Sequence, residues 1–368
     1  MQDADAALDR IVQQVREAAH ARTALQICGH GTKAFYGNSQ EATPLSTEDL
    51  RGITAYEPSE LVVSVRAGTP VHELESVLAQ QGQWLAFEPP RLGGVPDRSG
   101  TVGGMVASAL SGPGRAQAGS VRDFVLGCTV VNGRAQVLHF GGQVMKNVAG
   151  YDVSRLMAGS LGILGVLSEV SLKVLPHPVA TATVRMSASQ AEALERMNAW
   201  GGQPWPISAT AWWEGTLVVR LSGAQAAVQD AQERLGGEAV DAQLAQAFWQ
   251  GLRDHRDEYF VAAQARLSQG ERLWRLSVPS TCLPLDLPGD TLIEWGGAQR
   301  WLCTDAPVQR VREVAQSAGG HACVFRGDPP ADGVFAPLPA ALQKIHRQLK
   351  AAFDPEGIFN PGRLYPDL

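Results

Sequence analysis

The residues of this chain whose types and spacing could do chemistry are mostly ones with almost no side chain to do it with. In the string ICGHGTKAFYG (27–37), Gly29, Gly31 and Ala34 repeat the spacing of a dinucleotide fingerprint, in which a tight glycine turn brings a pyrophosphate onto backbone N–H groups. That fingerprint needs a helix of about ten residues directly after the loop, and Gly37, Asn38 and Ser39 break any helix within one or two turns. A free-standing nest of N–H donors for phosphate explains the residues better. A second string, 91–127, carries Gly at 93, 94, 100, 103, 104, 112, 114 and 119, which implies positive φ or close approach to something flat or charged. It reads as a long turn-rich connection rather than one regular element, and such loops inside compact domains are usually functional. A third cluster, 146–176, holds GSLGILG (159–165) at the start of a strand, where missing side chains let a ring system lie against the backbone. The fourth piece is FDPEGIFNPGR (353–363): Pro355 and Pro361 fix φ, and Asn360 can present amide donors and acceptors from a rigid turn.

Regular elements must hold these loops. Leu8, Ile11, Val12, Val15 and Ala19 recur at helical spacing, which predicts an amphipathic helix before a strand at 24–28. Residues 61–66 (LVVSVR) read as a buried strand, and 71–80 as a helix with Leu74, Val77 and Leu78 on one face. Strands at 125–131 and 135–140 flank Asn132-Gly133, a pair suited to a two-residue hairpin turn because both residues tolerate positive φ. Residues 163–175 alternate apolar and polar, predicting a strand that Pro176 and Pro178 stop. Beyond those prolines glycine thins out and tryptophan rises. Strand 181–186, helix 188–200, strands 208–213 and 216–221 and helix 224–235 give the order βαββα, which suits a ferredoxin-like antiparallel layer. Strands at 272–278, 291–295 and 300–304 extend it, and a last helix at 340–353 precedes the tail.

Composition narrows the function. The net charge of −6 and a charged fraction of 18% leave no basic field for a nucleic-acid backbone. The opening MQDADAALDR is acidic and polar, and no stretch reaches the apolar length of a membrane span, which predicts a cytoplasmic protein. Five cysteines, at 28, 128, 282, 303 and 323, have no C-x-x-C spacing and supply no iron–sulfur or zinc signature, so no metal is expected. Eight of the nine tryptophans lie beyond residue 199; most are expected in a core, with exposed ones docking a partner.

The 27–37 loop, SGTVGG (99–104), GSLGILG (159–165) and FNPGR (359–363), in that order, resemble the FAD-binding fold of the vanillyl-alcohol oxidase/PCMH group. The strings SALSGPGRAQAGSVRDFVLG (108–127), MKNVAGYDVSRLMAGSLGILG (145–165) and WGGAQRWL (295–302) look like the FAD-binding subunits of bacterial glycolate oxidases. The resemblance spans nearly the whole chain. It implies an α+β protein: a PCMH-type FAD-binding domain of two α/β subdomains (1–178), an antiparallel-sheet cap domain (179–335), and a C-terminal segment returning to the flavin (336–368). It also implies roles. Gly29, His30, Gly31, Thr32 and Lys33 would hold the FAD diphosphate. Thr101, Val102, Gly103 and Gly104, with Ser108, Ser111, Gly112 and Gly114, would flank the pyrophosphate and isoalloxazine. Gly162, Ile163, Gly165 and Val166 would meet the ribityl and adenine side, and Asn360 the flavin ring. A diphosphate needs many N–H donors, which side-chain-poor loops provide.

Oxidising a 2-hydroxy acid also demands a cation for the carboxylate and a base for the hydroxyl proton. Arg115, Lys146 and Arg326 are the available cations in glycine-flanked strings, and Tyr151 and His321 the candidate proton acceptors; each taken singly reads better as a surface ion pair or a satisfied polar residue. Related dehydrogenases of the fold carry a metal-binding pair of histidines in the cap and a His near a Gly-Asp-Gly-Asn string, and often Glu where this chain has Leu161. Here only His255 lies well inside the cap region. The resemblance therefore implies an FAD-binding subunit of a glycolate-oxidising complex, partnered by a homologous flavoprotein dehydrogenase subunit and an iron–sulfur subunit, peripheral on the inner membrane through those partners. A self-sufficient 2-hydroxy-acid dehydrogenase and a scaffold that has lost its flavin are the alternatives. Some relatives tether the flavin through a His that follows two glycines; His30 stands between Gly29 and Gly31, which implies noncovalent FAD.

Overall fold

The computed structural model describes residues 2–93, 99–142 and 152–368. The helix Gln2–Ala21 buries Ala7, Ile11, Val15 and Ala18 against Leu25, Leu45, Val131, Val166 and Phe359. Strand Leu25–Cys28 follows and pairs in parallel with Thr43–Ser46, so the 29–42 segment is the crossover between two parallel strands. Leu25 also bridges to Phe359 of the C-terminal tail.

A five-stranded antiparallel sheet comes next, in the order Ile53–Glu57, Val62–Arg66, Val166–Lys173, Val125–Val131, Val137–Gly141. Helices Val71–Gln80 and Val102–Ser108 cover the face that carries Val63, Val65, Val130 and Val170. Val131 and Val166, which pair across the sheet, point to the other face and the first helix. Both faces are covered, so Val125–Val131 is buried along its whole length and Val166–Lys173 departs from the expected in-out alternation.

Two further expectations need correction. Val131 pairs with Val137, so the hairpin loop has five residues rather than two. Asn132 Oδ1 accepts from the N–H groups of Arg134 (3.0 Å) and Gln136 (2.9 Å), and Ala135 takes the positive φ. Gly133 is there for a different reason: a Cβ would stand 2.5 Å from Asp354 Oδ1, and its N–H donates to Phe353 O. The 91–127 string is not one long irregular connection either. It contains the short helices Val102–Ser108, Arg115–Ala118 and Val121–Phe124.

The second half builds one eight-stranded antiparallel sheet, in the order Glu238–Ala239, Ala180–Ser187, Thr216–Gly223, Ile207–Trp213, Asp290–Glu294, Gln299–Thr304, Arg272–Ser277, His321–Arg326. The βαββα order expected at 180–235 is present, and its strand Ile207–Trp213 joins Asp290–Glu294 to fuse two halves. Helices Gln190–Gly201 and Val308–Ser317 pack on the outer face. Ala242–Arg253 and Glu258–Leu267, which no sequence pattern above predicted, pack on the inner face together with Tyr36 and Leu110 from the first half. That inner face therefore rests on the first half of the chain.

The chain ends with helix Ala340–Phe353 and a tail that runs back to the first strand, where Leu25 N donates to Ile358 O and Asn360 N to Leu25 O. Buried Lys350 fixes the return by donating to Ile163 O, Asp354 Oδ2 and Phe359 O at 2.7–2.8 Å.

Candidate functional site

The strand Leu25–Cys28 delivers the 29–33 loop to the N-terminus of helix Val102–Ser108. The approach is close: a Cβ on Gly29 would lie 2.4 Å from Thr101 Oγ1. Thr101 caps that helix, its hydroxyl accepting from Gly104 N at 3.3 Å. Gly31 has φ +68° with open space where a side chain would be, so its backbone faces the cleft unobstructed. The N–H groups of Gly29, Gly31, Thr32 and Lys33 have no hydrogen-bond partner among the described residues. A run of free donors in a glycine turn is an anion nest. Lys33 adds a cation whose desolvation lowers its pKa to about 8, with Asp254 pulling the other way.

The cleft brings together Gly29, His30, Gly31, Thr32, Lys33, Thr101, Gly104, Ser108 and Asn360, as expected, and adds Cys28, Ala107, Leu161 and Arg363. Asn360, expected at the ring, lines the cleft and also ties its walls together. Its Oδ1 accepts from Ile27 N (2.8 Å) and its Nδ2 donates to Leu161 O (2.6 Å), so the amide clamps two walls of the cleft. Gly162 is shaped by that clamp, since a Cβ there would stand 2.6 Å from Asn360 Nδ2. Arg363 was missed. Its guanidinium donates to the carbonyls of Lys33, Ala34, Tyr36 and Asn38, tying the tail to the segment that leaves the 29–33 loop. The signal available in the sequence was a cation in an otherwise rigid, side-chain-poor tail.

Other expected residues stand elsewhere. Val102, Ile163 and Val166 are buried in cores. Gly103 presses on Ala67, and Gly165 on Val130, where a Cβ would meet side-chain carbon at 2.8 and 2.7 Å. Gly112 and Gly114 form a joint between the halves of the chain: Gly112 N donates to Phe87 O, Gly112 O accepts from Trp295 Nε1, and Gly114 N donates to Glu88, which in turn binds Arg220 at 2.8 Å. Ser111 sits in the same turn with its hydroxyl buried and unpartnered among the described residues.

Of the charged candidates, Arg115 lies 4.5 Å over the Trp295 ring and Arg326 3.6 Å over Phe35, and burial lowers the pKa of both. His321 opens strand His321–Arg326 and is exposed. Lys146 and Tyr151 lie outside the described residues. His255, not proposed as a site residue, stacks on Phe260 at 3.8 Å; burial and then Arg326 and Arg275 push its pKa down to about 3, so it is neutral. Among the described residues no group of three or more His, Cys, Asp and Glu could hold a metal, and no helix is long and apolar enough to cross a membrane. The expected exposed tryptophans are absent: all nine are buried or half-buried, most of them serving the cap's cores.

Residues 7–141 match the FAD binding domain family. The chain is 46% identical to the glycolate oxidase subunit GlcE of Escherichia coli (strain K12), over 97% of both chains. It is 33% identical to a D-lactate dehydrogenase of Anaerostipes hadrus over 36% of this chain and 27% of that one, and 30% identical to the glycolate oxidase subunit GlcD of Bacillus subtilis (strain 168) over 41% and 31%. The solved structure of an alkyldihydroxyacetonephosphate synthase superposes with a TM-score of 0.65 at 14% identity, covering 96% of this chain and 74% of that one, which speaks to the fold. The α+β PCMH-type fold with an antiparallel-sheet cap is thus the fold of this chain. Near-complete mutual coverage at this identity carries the assignment further: the chain belongs to the family of the glycolate oxidase subunit GlcE.

Proposed function

We propose that the chain is the FAD-binding subunit of a glycolate oxidase complex, an oxidoreductase that turns glycolate into glyoxylate. The observation that carries this is the run of free N–H donors in the 29–33 loop, set beside Thr101 with Arg363 tying down the segment that follows. Residues present fit a dinucleotide: glycines where a Cβ would obstruct, donors without partners, and the Lys33 cation beside them. Bound there noncovalently, FAD supplies a two-electron acceptor. The chain's own part is to hold the diphosphate through Gly29, Gly31, Thr32 and Lys33, to shape the adjacent wall with Thr101, Gly104 and Ser108, and to fix that wall through Asn360. The FAD-binding part would span 1–178, the cap 179–335 and the returning segment 336–368.

The relatives named as oxidase subunits support partner subunits. The five cysteines are scattered over both halves, so an iron–sulfur acceptor would belong to another chain, with a homologous flavoprotein subunit as the main dehydrogenase. The test is reconstitution of the purified chain with FAD, followed by acid precipitation and then by flavin reduction with glycolate with and without partner subunits. Yellow colour in the acid supernatant, and reduction that requires partners, are expected. A chain that takes up no FAD would overturn the proposal, and dye reduction by the chain alone would favour a self-sufficient dehydrogenase.

A further inference from the structure

The last helix of the chain buries less of itself than the helices of the cap do. Gln190–Gly201, Ala242–Arg253, Glu258–Leu267 and Val308–Ser317 each bury three residues, whereas Ala340–Phe353, longer than any of them, buries only Lys350. Its apolar residues nonetheless fall on one stripe: Leu342, Ile345 and Leu349 follow the i, i+3, i+7 spacing of a packing face. Leu349 packs partway on the core of the first half, while Leu342 and Ile345 are 46% and 50% exposed. The stripe leads from a groove of about 550 Å³ between this helix and residues 152–164, whose apolar lining is Leu156, Ile163, Leu164, Leu349 and Leu364.

The groove lies directly behind the proposed cofactor cradle. Gly159, Ser160 and Ile163 line it, while Leu161, in the same turn, lines the cleft with the 29–33 loop. That turn is held from both sides, with Asn360 Nδ2 donating to Leu161 O at 2.6 Å and Lys350 Nζ to Ile163 O at 2.8 Å. A wall fixed in this way needs little ordering when something packs on it. The charges around the groove are sorted as well. Arg155 pairs with Asp152 at 2.8 Å and Arg347 with Asp367 at 2.6 Å. Asp123, which stands near Arg122 and Arg155, accepts from Ser120 N and Oγ at 2.9 and 2.7 Å. Arg122, on the groove, and Lys344, beside Ile345, have no carboxylate partner among the described residues. The acids here are committed and two cations are not, so the complementary surface is acidic.

Exposed apolar side chains with a polar rim mark protein contacts. A second copy of this chain would set Arg122 and Lys344 against their own equivalents across a two-fold axis. An anionic lipid surface gathers clusters of basic residues, and here Asp123, Asp152 and Asp367 are interleaved with the cations. We propose that the groove and the Leu342–Ile345 stripe are the docking surface for a partner subunit, entered by an apolar side chain from a segment that carries carboxylates beside it, and that the docked partner stands one turn of chain from the cofactor cradle. That the partner belongs to a glycolate oxidase complex rests on the reading above; that another protein chain covers this face does not.

The test co-expresses the full chain with the homologous flavoprotein subunit and the iron–sulfur subunit of the proposed complex and measures assembly by size-exclusion chromatography and by dissociation on dilution. The chains compared are the wild type, a double variant with Leu342→Asp and Ile345→Asp, Lys344→Glu, and Leu244→Asp, which removes an equally exposed apolar side chain from the cap. FAD content and thermal midpoint are read for each chain alone. The double variant is expected to weaken assembly about tenfold or more and Lys344→Glu several-fold, both with FAD content and midpoint unchanged, while Leu244→Asp assembles like the wild type. No assembly of the wild type, wild-type assembly by the double variant, or equal loss in Leu244→Asp would overturn the docking surface. So would self-association of the isolated chain, or its binding to phosphatidylglycerol vesicles, if the double variant abolished either, since the face would then belong to a second copy or to lipid. A chain that takes up no FAD ends the flavoprotein reading, while its assembly still reads the surface. Should the double variant unfold, Lys344→Glu carries the decision.

Discussion

Two glycine-rich turns of this chain, GHGTK at 29–33 and SGPGR at 111–115, are nearly interchangeable as sequence and opposite in use. In the second, the glycines let protein meet protein: Gly112 N and O are taken by Phe87 and Trp295, Gly114 N by Glu88, and a Cβ on Gly112 would fall 2.6 Å from Glu88 O. In the first, Gly31 has nothing within 4 Å of a would-be Cβ, and the donors of Gly29, Gly31, Thr32 and Lys33 find no partner among the described residues. Glycine density marks where backbone comes close to something. Where the N–H groups go decides whether that something is the protein or a ligand.

The contrast can be broken by substitution. Gly31→Asp should have the largest effect on FAD. Asp tolerates the left-handed φ there, so folding should change by no more than about 1 kcal/mol, whereas a carboxylate set against a diphosphate costs several kcal/mol, on the order of 100-fold in affinity. An FAD-binding isotherm and a thermal melt check both halves of that statement. Arg363→Met should follow, because it leaves the carbonyls of Lys33, Ala34, Tyr36 and Asn38 without their shared donor; a loss of about 2–4 kcal/mol in denaturant unfolding, with weakened FAD retention, is expected. Gly112→Ala should cost about 1–3 kcal/mol by overpacking against Glu88 and leave FAD affinity near the wild-type value, since that turn only joins the two halves.

The smallest effect sharpens the contrast by pH. Lys33 is held at about 8 by desolvation, below its ordinary 10.5. Between those values the unfolded chain keeps a proton that the folded, FAD-free chain has released, so stability should rise with pH across that window. Lys33→Met should remove this rise in a series of melts from pH 7.5 to pH 10, relative to the wild type, and saturating FAD should suppress it in the wild type if a diphosphate holds the proton on.

Much of the scaffold was legible in the sequence because it rests on local periodicity. The spacing of Leu8, Ile11, Val12 and Val15, the run LVVSVR and the βαββα order of the cap need no distant partner to be read. The helix Ala242–Arg253 was missed although Ala245, Trp249 and Leu252 are spaced for one buried face. The candidate site was half legible. Gly29, Gly31 and Thr101 announce themselves by type, but their meaning depends on a contact 72 residues apart in the sequence. Gly133 looked like a turn residue and answers to Asp354; Arg363 serves carbonyls more than 300 positions away. Contacts of that kind are set by how the tail returns, which no local pattern encodes. Likewise the hydrogen bond of Arg275 to Gln299 is a property of the assembled sheet, invisible in the string RLWRLS.

The central claim, that the 29–33 turn is the cofactor cradle and the 111–115 turn a protein joint, is tested most directly by titrating FAD into the wild type, Gly31→Asp and Gly112→Ala at a temperature where all three are folded. The account predicts one FAD per chain in the wild type and in Gly112→Ala, and loss of binding in Gly31→Asp. Equal binding by Gly31→Asp and the wild type would contradict it, as would loss of FAD confined to a folded Gly112→Ala.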